Sequence, residues 1–180
     1  MNKHYFFTSK RLGFRKFRDA DFELFSKMNS DPEVMRFFPS TRNQIEVRNL
    51  MQAINTHIDQ HGFGYFAVDH LETNHFIGFI GLKKTSFQSF FTPCVEIGWR
   101  LDSSYWNQGY ASEGAERCLE FAFSELGIKE IYSFTSLLNK PSERVMQKIG
   151  MNKINEFDHP LVEDNHPLKR HCLYYIKAKF

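Results

Sequence analysis

The chain has 180 residues, enough for one globular domain with a core of its own. Its composition, 42% hydrophobic and 24% charged, excludes a disordered chain. No apolar run approaches the roughly 20 residues that a membrane-spanning helix needs, and a net charge of +2 disfavours dedicated nucleic-acid binding. We therefore expect one domain over residues 1–180, located in the cytoplasm, with neither a nucleic-acid nor a membrane partner.

Strands and helices are predicted along the whole chain from the spacing of apolar residues. The first half is expected to hold a strand, two helices and two strands, in the order 11–17, 19 or 21 to 28, 40 or 41 to 61, 63–68 and 75–83. The second half is expected to hold strand 94–101, helix 110–126, strand 128–136, helix 141–149 and strands 151–158 and 172–180. Pro32 is expected to open a short helical piece. This order predicts a mixed α/β layer around one dominant sheet.

Cysteines and histidines give no sign of a metal site. The three cysteines are scattered and odd in number, so we interpret them as small core residues: Cys94, Cys118 and Cys172. His57 and His61 are spaced for one helix face, but no third ligand is indicated, and we interpret them as a solvated helix end. Three further histidines near the loop 159–169 could line a substrate loop or serve solubility: His159, His166 and His171.

The segment from Trp106 to Ala111 joins a predicted strand to a predicted helix through small residues. The first amides of a helix lack internal partners, and the helix dipole favours negative charge there. Gly109 removes a side chain where a phosphate would approach, so the amides from Gln108 to Ser112 are candidates to cradle a pyrophosphate. The turn matches neither the Rossmann fingerprint nor the Walker A sequence. Taken alone, it is equally consistent with an ordinary helix start.

Further motifs occur in order along almost the whole chain. They are Thr8-Ser9-Lys10-Arg11-Leu12, Ser30-Asp31-Pro32-Glu33-Val34-Met35, Glu96-Ile97-Gly98, Trp106 to Glu113, Asn139-Lys140-Pro141-Ser142 and Lys148-Ile149-Gly150-Met151. Together they resemble the GNAT acetyltransferase superfamily, and most closely the branch that contains the ribosomal-protein N-terminal acetyltransferases. The resemblance implies a mixed α/β fold with a central, mostly antiparallel twisted sheet. That sheet is expected to splay between its fourth and fifth strands and to be flanked by about four helices.

The same resemblance implies an activity. Acetyl-coenzyme A would be the co-substrate, without a metal, and its acetyl group would pass directly to a primary amine in a ternary complex. The acceptor would be a protein N-terminus or a small-molecule amine, and the enzyme a monomer or homodimer. Two alternatives stay open: a non-catalytic coenzyme A-binding regulatory domain, and a transferase of longer acyl groups suggested by Phe87, Phe90 and Phe91. Acceptor choice would depend on the segments 35–58, 85–93 and 159–169.

Amine acetylation requires removal of a proton from the amine, stabilisation of the carbonyl oxygen and departure of a thiolate. Glu96 is the candidate base; the alternative is a structural pair with Arg100 or another neighbour. A bulge in this strand is typical of the superfamily. The resemblance further implies that the cofactor is bound by Trp99, Arg100, Leu101, Gln108, Gly109, Tyr110, Ala111, Ser112, Asn139 and Ser142.

The sequence differs from many members of the superfamily at the residue that protonates the departing thiolate. Many members carry a Tyr seven residues after the helix Asn, and here that position is Met146, which has no proton to give. Ser142 is the substitute candidate, with a helix-start hydroxyl as the alternative role. Asn139 is expected to bond amide groups of pantetheine. Smaller departures are Trp106 in place of Arg or Gln, and Met151 in place of Phe.

Overall fold

The computed structural model describes residues 5–178. Its strands are β1 (Phe7–Thr8), β2 (Leu12–Arg15), β3 (Tyr65–His70), β4 (Phe76–Thr85), β5 (Cys94–Leu101), β6 (Glu130–Ser136), β7 (Asn152–Asp158) and β8 (Arg170–Lys177). Its α-helices are α1 (Phe22–Ser30), α2 (Gln44–His61), α3 (Tyr110–Ser124) and α4 (Lys140–Lys148). The strands form one sheet in the order β1-β2-β3-β4-β5-β6-β8-β7. The predicted mixed α/β fold is confirmed.

Within residues 5–178, β5 and β6 are the only neighbouring strands of this sheet that run parallel. These two strands share a single ladder pair, Glu96 with Tyr132. Residues 98–101 continue to pair with β4 but not with β6, so the strands diverge there. The splay was expected between the fourth and fifth predicted strands, 94–101 and 128–136, which are β5 and β6 of the structure because β1 was not predicted. The expected bulge is absent from the β4–β5 ladder, which runs without a register shift from Gly78 opposite Leu101 to Thr85 opposite Cys94.

Helices cover both faces of the sheet. Ile80 of β4 approaches Gly114 of α3, whereas the ring of Phe79 lies 6.1 Å from the ring of Phe25 in α1. Neighbouring residues of a strand point to opposite faces, so α3 and α1 lie on opposite sides. Arg100 is paired directly with Phe79, which places its side chain on the α1 face. Glu96, four residues earlier on the same strand, shares that face.

The start of α2 was predicted at Ser40 or Thr41 and is found at Gln44. The reason is a capping box: Asn43 Oδ1 accepts from the Glu46 amide at 3.0 Å, and Glu46 Oε2 accepts from the Asn43 amide at 2.7 Å. The short helical piece expected after Pro32 is also wrong, because residues 32–37 form successive turns.

The start of α1 is where one of the two predictions placed it, with Asp21 at the N-cap position directly before Phe22. Asp21 precedes the helix without capping it, because its carboxylate binds the buried guanidinium of Arg15 at 2.6 and 2.8 Å. A buried ion pair outweighs a local cap when the cation would otherwise be left unpaired. Arg15 also binds Asp69 of β3, so this group joins β2, β3 and the start of α1.

The abundant phenylalanines form two hydrophobic clusters. The larger cluster lies between the sheet and the helices and includes fully buried Phe14, Phe25 and Phe66. The smaller one is centred on Phe91, Phe157 and Leu173. Cys118 and Cys172 are buried as expected, whereas Cys94 is half-buried. None of the helices within residues 5–178 has both the length and the apolar character needed to cross a membrane.

Candidate functional site

The turn between β5 and α3 leaves the helix start open. Gly109 occupies the N-cap position with φ of +82°, in the left-handed region that favours glycine. No side chain caps the helix. Its first intrahelical bond runs from the Glu113 amide to the Gly109 carbonyl at 3.0 Å. The preceding amides therefore remain available to an anion, as the sequence suggested.

Arg11 stabilises this turn through side-chain hydrogen bonds, a role that was not predicted from the sequence. Its Nη1 donates to the Gln108 carbonyl at 3.1 Å, and its Nε donates to Glu113 at 2.6 Å. The guanidinium lies 4.2 Å from the centre of the Tyr110 ring, and Nη2 lies 3.6 Å from the position that a Gly109 side chain would occupy. A cation therefore lies beside the open amides. The only signal in the sequence was the motif at the opening strand.

The other predicted cofactor-binding residues lie in this turn and in the first turn of α3. Their backbone amides are available to a ligand, whereas their side chains are buried, already bonded or apolar. The Tyr110 side chain is buried, and its hydroxyl lies 3.1 Å from His70 Nε2. Ser112 is also buried. Gln108 donates from Nε2 to the Ser104 carbonyl at 2.9 Å. Ala111, with no polar side chain, has its backbone amide alone to offer.

The edge of β5 that faces β6 is open after Glu96. Ser133 of β6 donates its hydroxyl to the Ile97 carbonyl at 2.9 Å, so a side chain replaces a ladder bond there. Trp106 Nε1 donates to the Leu101 carbonyl at 2.8 Å, which ties the turn to the end of the strand. Between these bonds, Trp99 and Arg100 have no ladder partner in β6. An extended ligand can add to such an edge by backbone hydrogen bonds.

Glu96 is buried on the α1 face and accepts a hydrogen bond from the Tyr65 hydroxyl at 2.5 Å. Burial, together with the negative charge of Glu96, raises the pKa of Tyr65 well above its usual value. Tyr65 therefore stays protonated and acts as a donor. Of the alternative structural pairs, the one with Arg100 is not formed, and the neighbour that Glu96 does pair with is Tyr65. Tyr65 was missed because it belongs to β3, and only the sheet brings it to Glu96.

Arg100 was assigned to the cofactor, but its side chain lies on the face opposite α3. It donates from Nη1 to the side-chain oxygen of Asn29, and its guanidinium stacks on Phe38 at 4.0 Å from the ring centre. Burial, with repulsion from Arg42 second, lowers the pKa of Arg100 to about 10, so it remains charged at neutral pH. Its backbone also faces β4, because the Ile97 carbonyl faces β6 and the Asp102 amide bonds Ile77 of β4, so it is Trp99 whose backbone groups face the open edge of β5.

Asn139 and Ser142 are in contact at the start of α4. Asn139 Oδ1 accepts from the Ser142 amide at 3.3 Å, and its Nδ2 donates to Ser142 Oγ at 3.1 Å and to Thr135 Oγ1 at 2.9 Å. Asn139 is thus the helix cap, and Ser142 does not have the capping role that was its alternative. Met146 is 1% exposed and belongs to the main core.

His159 and His171 belong to the smaller aromatic cluster, with their rings 4.9 Å apart. Burial, then the charges of His171 and Lys169, lowers the pKa of His159 to about 4. Phe87 stacks against His159 at 4.8 Å. These two histidines therefore pack against aromatic rings instead of serving solubility.

His57 is tied within the fold, contrary to the predicted solvated helix end. Its Nδ1 lies 2.8 Å from the Phe63 carbonyl, and its Nε2 accepts from the Lys84 amide at 3.2 Å. Both ring nitrogens are therefore engaged. Within the described part of the chain, no group of three or more His, Cys, Asp or Glu side chains is arranged to hold a metal ion.

Comparison with known proteins gives a consistent result. The acetyltransferase (GNAT) domain family matches residues 11–152. An uncharacterized N-acetyltransferase of Bacillus subtilis, YnaD, is 32% identical, covering 81% of this chain and 82% of that protein. Most of the chain, including β2 to β6 and the turn before α3, lies within the matched region.

Solved structures share the fold. A GNAT-family acetyltransferase from Bacillus anthracis superposes with a TM-score of 0.78 and 30% identity, covering 94% of this chain and 96% of that one. A ribosomal-protein-S5-alanine acetyltransferase from Vibrio fischeri gives 0.73 at 17% identity, covering 95% of each chain. A spermidine N-acetyltransferase from Vibrio cholerae, solved with CoA and spermine, gives 0.72 at 18% identity, covering 93% and 96%.

Proposed function

Because the chain belongs to the GNAT acetyltransferase family, we propose that it transfers the acetyl group of acetyl-coenzyme A to a primary amine. The observation that carries this proposal is the pair of open backbone surfaces, the uncapped start of α3 and the edge of β5 beyond its single pairing with β6. They lie one after the other along the chain. A long ligand with a phosphate group at one end and amide groups at the other fits both.

Acetyl-coenzyme A has this chemistry, and the residues fit it. Its pyrophosphate would meet the amides from Gln108 to Ser112, with Arg11 adding a positive charge beside them. The amide groups of its pantetheine arm would add to the edge of β5 at Trp99 to Leu101. Asn139 would reach it through its backbone or its remaining acceptor capacity, because its side chain is already bonded within its own turn.

Glu96 is the proposed general base. The co-substrate supplies an acetyl group activated as a thioester. The carboxylate of Glu96, fixed by Tyr65, would take a proton from the acceptor amine as its nitrogen bonds to the acetyl carbon. A backbone N–H on β5 would stabilise the developing charge on the carbonyl oxygen. Holding both reactants on one strand supplies a further part of the rate.

Ser142 is the proposed acid for the departing sulfur. When the carbon–sulfur bond breaks, the thiolate needs one proton. Ser142 Oγ accepts from Asn139 Nδ2, so its own hydrogen remains free to be donated to the thiolate, while a solvent water would return a proton to Oγ. Met146, at the position of the usual Tyr, is buried and has no proton to give.

The missing Tyr at Met146 also favours the second candidate function, a regulatory domain that binds coenzyme A without catalysis. The longer-acyl alternative gains no support from Phe87 and Phe91, whereas Phe90 is exposed. Phe87 and Phe91 pack with Phe134 and Phe157, so they fill the smaller cluster instead of lining a channel.

Two measurements test the proposal. Acetyl-coenzyme A at about 100 times its Kd is expected to stabilise the folded chain by about 2.7 kcal/mol, seen as a higher Tm, because it binds only the folded state. An unchanged Tm at saturating ligand would exclude both the transferase and the regulatory binder. Release of free thiol with a panel of primary amines then separates them, since only the transferase releases thiol in proportion to the amine.

A further inference from the structure

Two arginines on the α1 face lack an anionic partner. Arg100 is 9% exposed, and Arg42 is half-buried on the segment that precedes α2. The Nε atom of each is buried and has no hydrogen-bond partner. Neither makes an ion pair with any carboxylate of the described residues. Leaving a buried charged donor unpaired is costly, so a partner from outside the chain would be favoured.

Arg15 shows what the chain does with a buried arginine that serves structure alone. It is as buried as Arg100, and it is bonded by Asp21 at 2.6 Å and by Asp69 at 2.5 Å. Among the described residues, the Arg100 guanidinium donates a hydrogen bond only to the neutral side chain of Asn29, and it stacks on Phe38 and Phe79. The contrast indicates that the negative charge for Arg100 is supplied by something else.

Asn29 brings the two arginines together. Its side-chain oxygen accepts from Arg100, and its backbone carbonyl accepts from the Arg42 amide at 2.9 Å. The two guanidinium groups are close enough for Arg42 to lower the pKa of Arg100. An anion beside the two guanidinium groups would supply the missing negative charge and offset this repulsion.

The arginines lie on the same face as the proposed base. Arg100 and Glu96 are four residues apart on β5, about 13 Å along a strand, and Tyr65 packs between them against Phe79 with 4.9 Å between ring centres. Because Tyr65 is half-buried and fills the space over Gly98, an acceptor amine at Glu96 would extend across the exposed side of the Tyr65 ring toward Arg100. Its far end would meet a concentrated positive charge.

Resting on the proposed function, we infer that the acceptor is a small primary amine that also carries a carboxylate, which Arg100 and Arg42 bind while Glu96 receives the amine. The carboxylate would lie at the far end of the acceptor from the reacting nitrogen. A polyamine is disfavoured at this site, because its second ammonium group would approach two guanidinium groups without a counter-charge.

Binding calorimetry in the presence of coenzyme A tests this without depending on turnover. The probes are 6-aminohexanoate and pentylamine, which share the amine and chain and differ in the carboxylate. The wild type is expected to bind 6-aminohexanoate at least tenfold more tightly, since one charge-assisted contact is worth that factor or more. Spermidine is expected to bind more weakly than 6-aminohexanoate.

Arg42→Gln is the main variant, because Arg42 is half-buried and, within residues 5–178, makes no ion pair that the substitution would break. It is expected to reduce the carboxylate preference to less than threefold. Arg48→Gln is the matched control: Arg48 is exposed on α2 and stacks on Phe22, so the same loss of charge should leave the preference intact.

Equal affinities for the two probes in the wild type, absence of binding by both, or a preference that survives Arg42→Gln would each overturn the inference. Thiol release with either probe reports separately on the proposed function. A chain that acetylates pentylamine and 6-aminohexanoate equally well would keep the transferase proposal and lose the carboxylate site.

Discussion

At the scale of single residues, the candidate base is defined by its neighbours more than by its motif. Glu96 lies in a short motif that resembles the family, but its environment comes from Tyr65, which is 31 positions away in sequence. The Tyr65 hydroxyl engages one carboxylate oxygen and leaves the other free of described side-chain partners. Such a hydrogen bond orients a carboxylate without neutralising it, which suits a group that must accept a proton.

Replacing Glu96 with Gln is expected to lower turnover about 100-fold or more, because Gln keeps the hydrogen bond from Tyr65 but cannot take the amine proton. The measurement is thiol release at saturating acetyl-coenzyme A with the best amine of the panel. Tyr65→Phe retains the carboxylate, so a smaller loss is expected from it. The rise in Tm caused by acetyl-coenzyme A should be the same in Glu96→Gln as in the wild type. Full turnover in Glu96→Gln would show that the base is another group.

At the scale of elements, the junction of β5 and α3 combines an open strand edge with an open helix start. The strand edge is open because the ladder between β5 and β6 has a single pair. The helix start is open because Gly109 provides no capping side chain. The surrounding bonds hold the junction in place. Trp106 bonds the end of β5, and Arg11 bonds both the Gln108 carbonyl and Glu113 of α3. A fixed set of unpaired backbone groups is already organised for a ligand before it binds.

Gly109→Ala tests this junction, with Gly127→Ala as its matched control. Both glycines have positive φ, +82° and +65°, and neither position would bring a new Cβ closer than 3.6 Å to the atoms around it. Each substitution is therefore expected to destabilise the chain by roughly 1–2 kcal/mol through backbone strain alone. Only Gly109→Ala should also lose at least half of the Tm increase caused by acetyl-coenzyme A, because only Gly109 lies beside the open amides. Equal losses of ligand stabilisation in both variants would argue against a phosphate site at this turn.

At the scale of the whole molecule, one sheet joins the two ends of the chain. β1 begins at Phe7 and β8 ends at Lys177, and both belong to the same eight strands. The site is built where the two halves of the sheet diverge, between β5 and β6. We propose that residues 1–180 form a single domain, since the main core includes residues of both halves, from Phe7 to Tyr174.

Unfolding in urea is expected to occur in one cooperative transition. Fluorescence of Trp99 and Trp106 reports on the junction of β5 and α3, whereas far-UV circular dichroism reports on all four helices. If the chain is one domain, the two signals should have the same midpoint and slope. Two distinct midpoints would show that the halves on either side of the divergence unfold separately, contrary to the single-domain proposal.

The sequence by itself determined the family, the order of the elements from β2 onward and the open turn before α3, but it missed β1 at Phe7–Thr8 and placed a short helix after Pro32 where the chain forms turns. The features that it determined depend on local information: apolar periodicity, turn glycines, and motifs whose members lie within a few positions of one another. Boundaries shifted where a local competitor was overlooked, as when Asn43 and Glu46 set the start of α2. The junction at Gly109 was readable because strand, turn and helix follow one another directly.

Only the tertiary structure decided which side chains share the acceptor face. Tyr65 meets Glu96 through the register of β3, β4 and β5, and Arg100 meets Asn29 across 71 positions when α1 packs on that face. Such contacts depend on strand register and helix packing. A shift of one residue in the register of a strand would move each of its side chains to the opposite face of the sheet. The sequence also could not show that Arg15 forms ion pairs with two carboxylates, whereas Arg100 forms none within the described residues. That difference exists only once the chain has folded, because it depends on which charges are buried together.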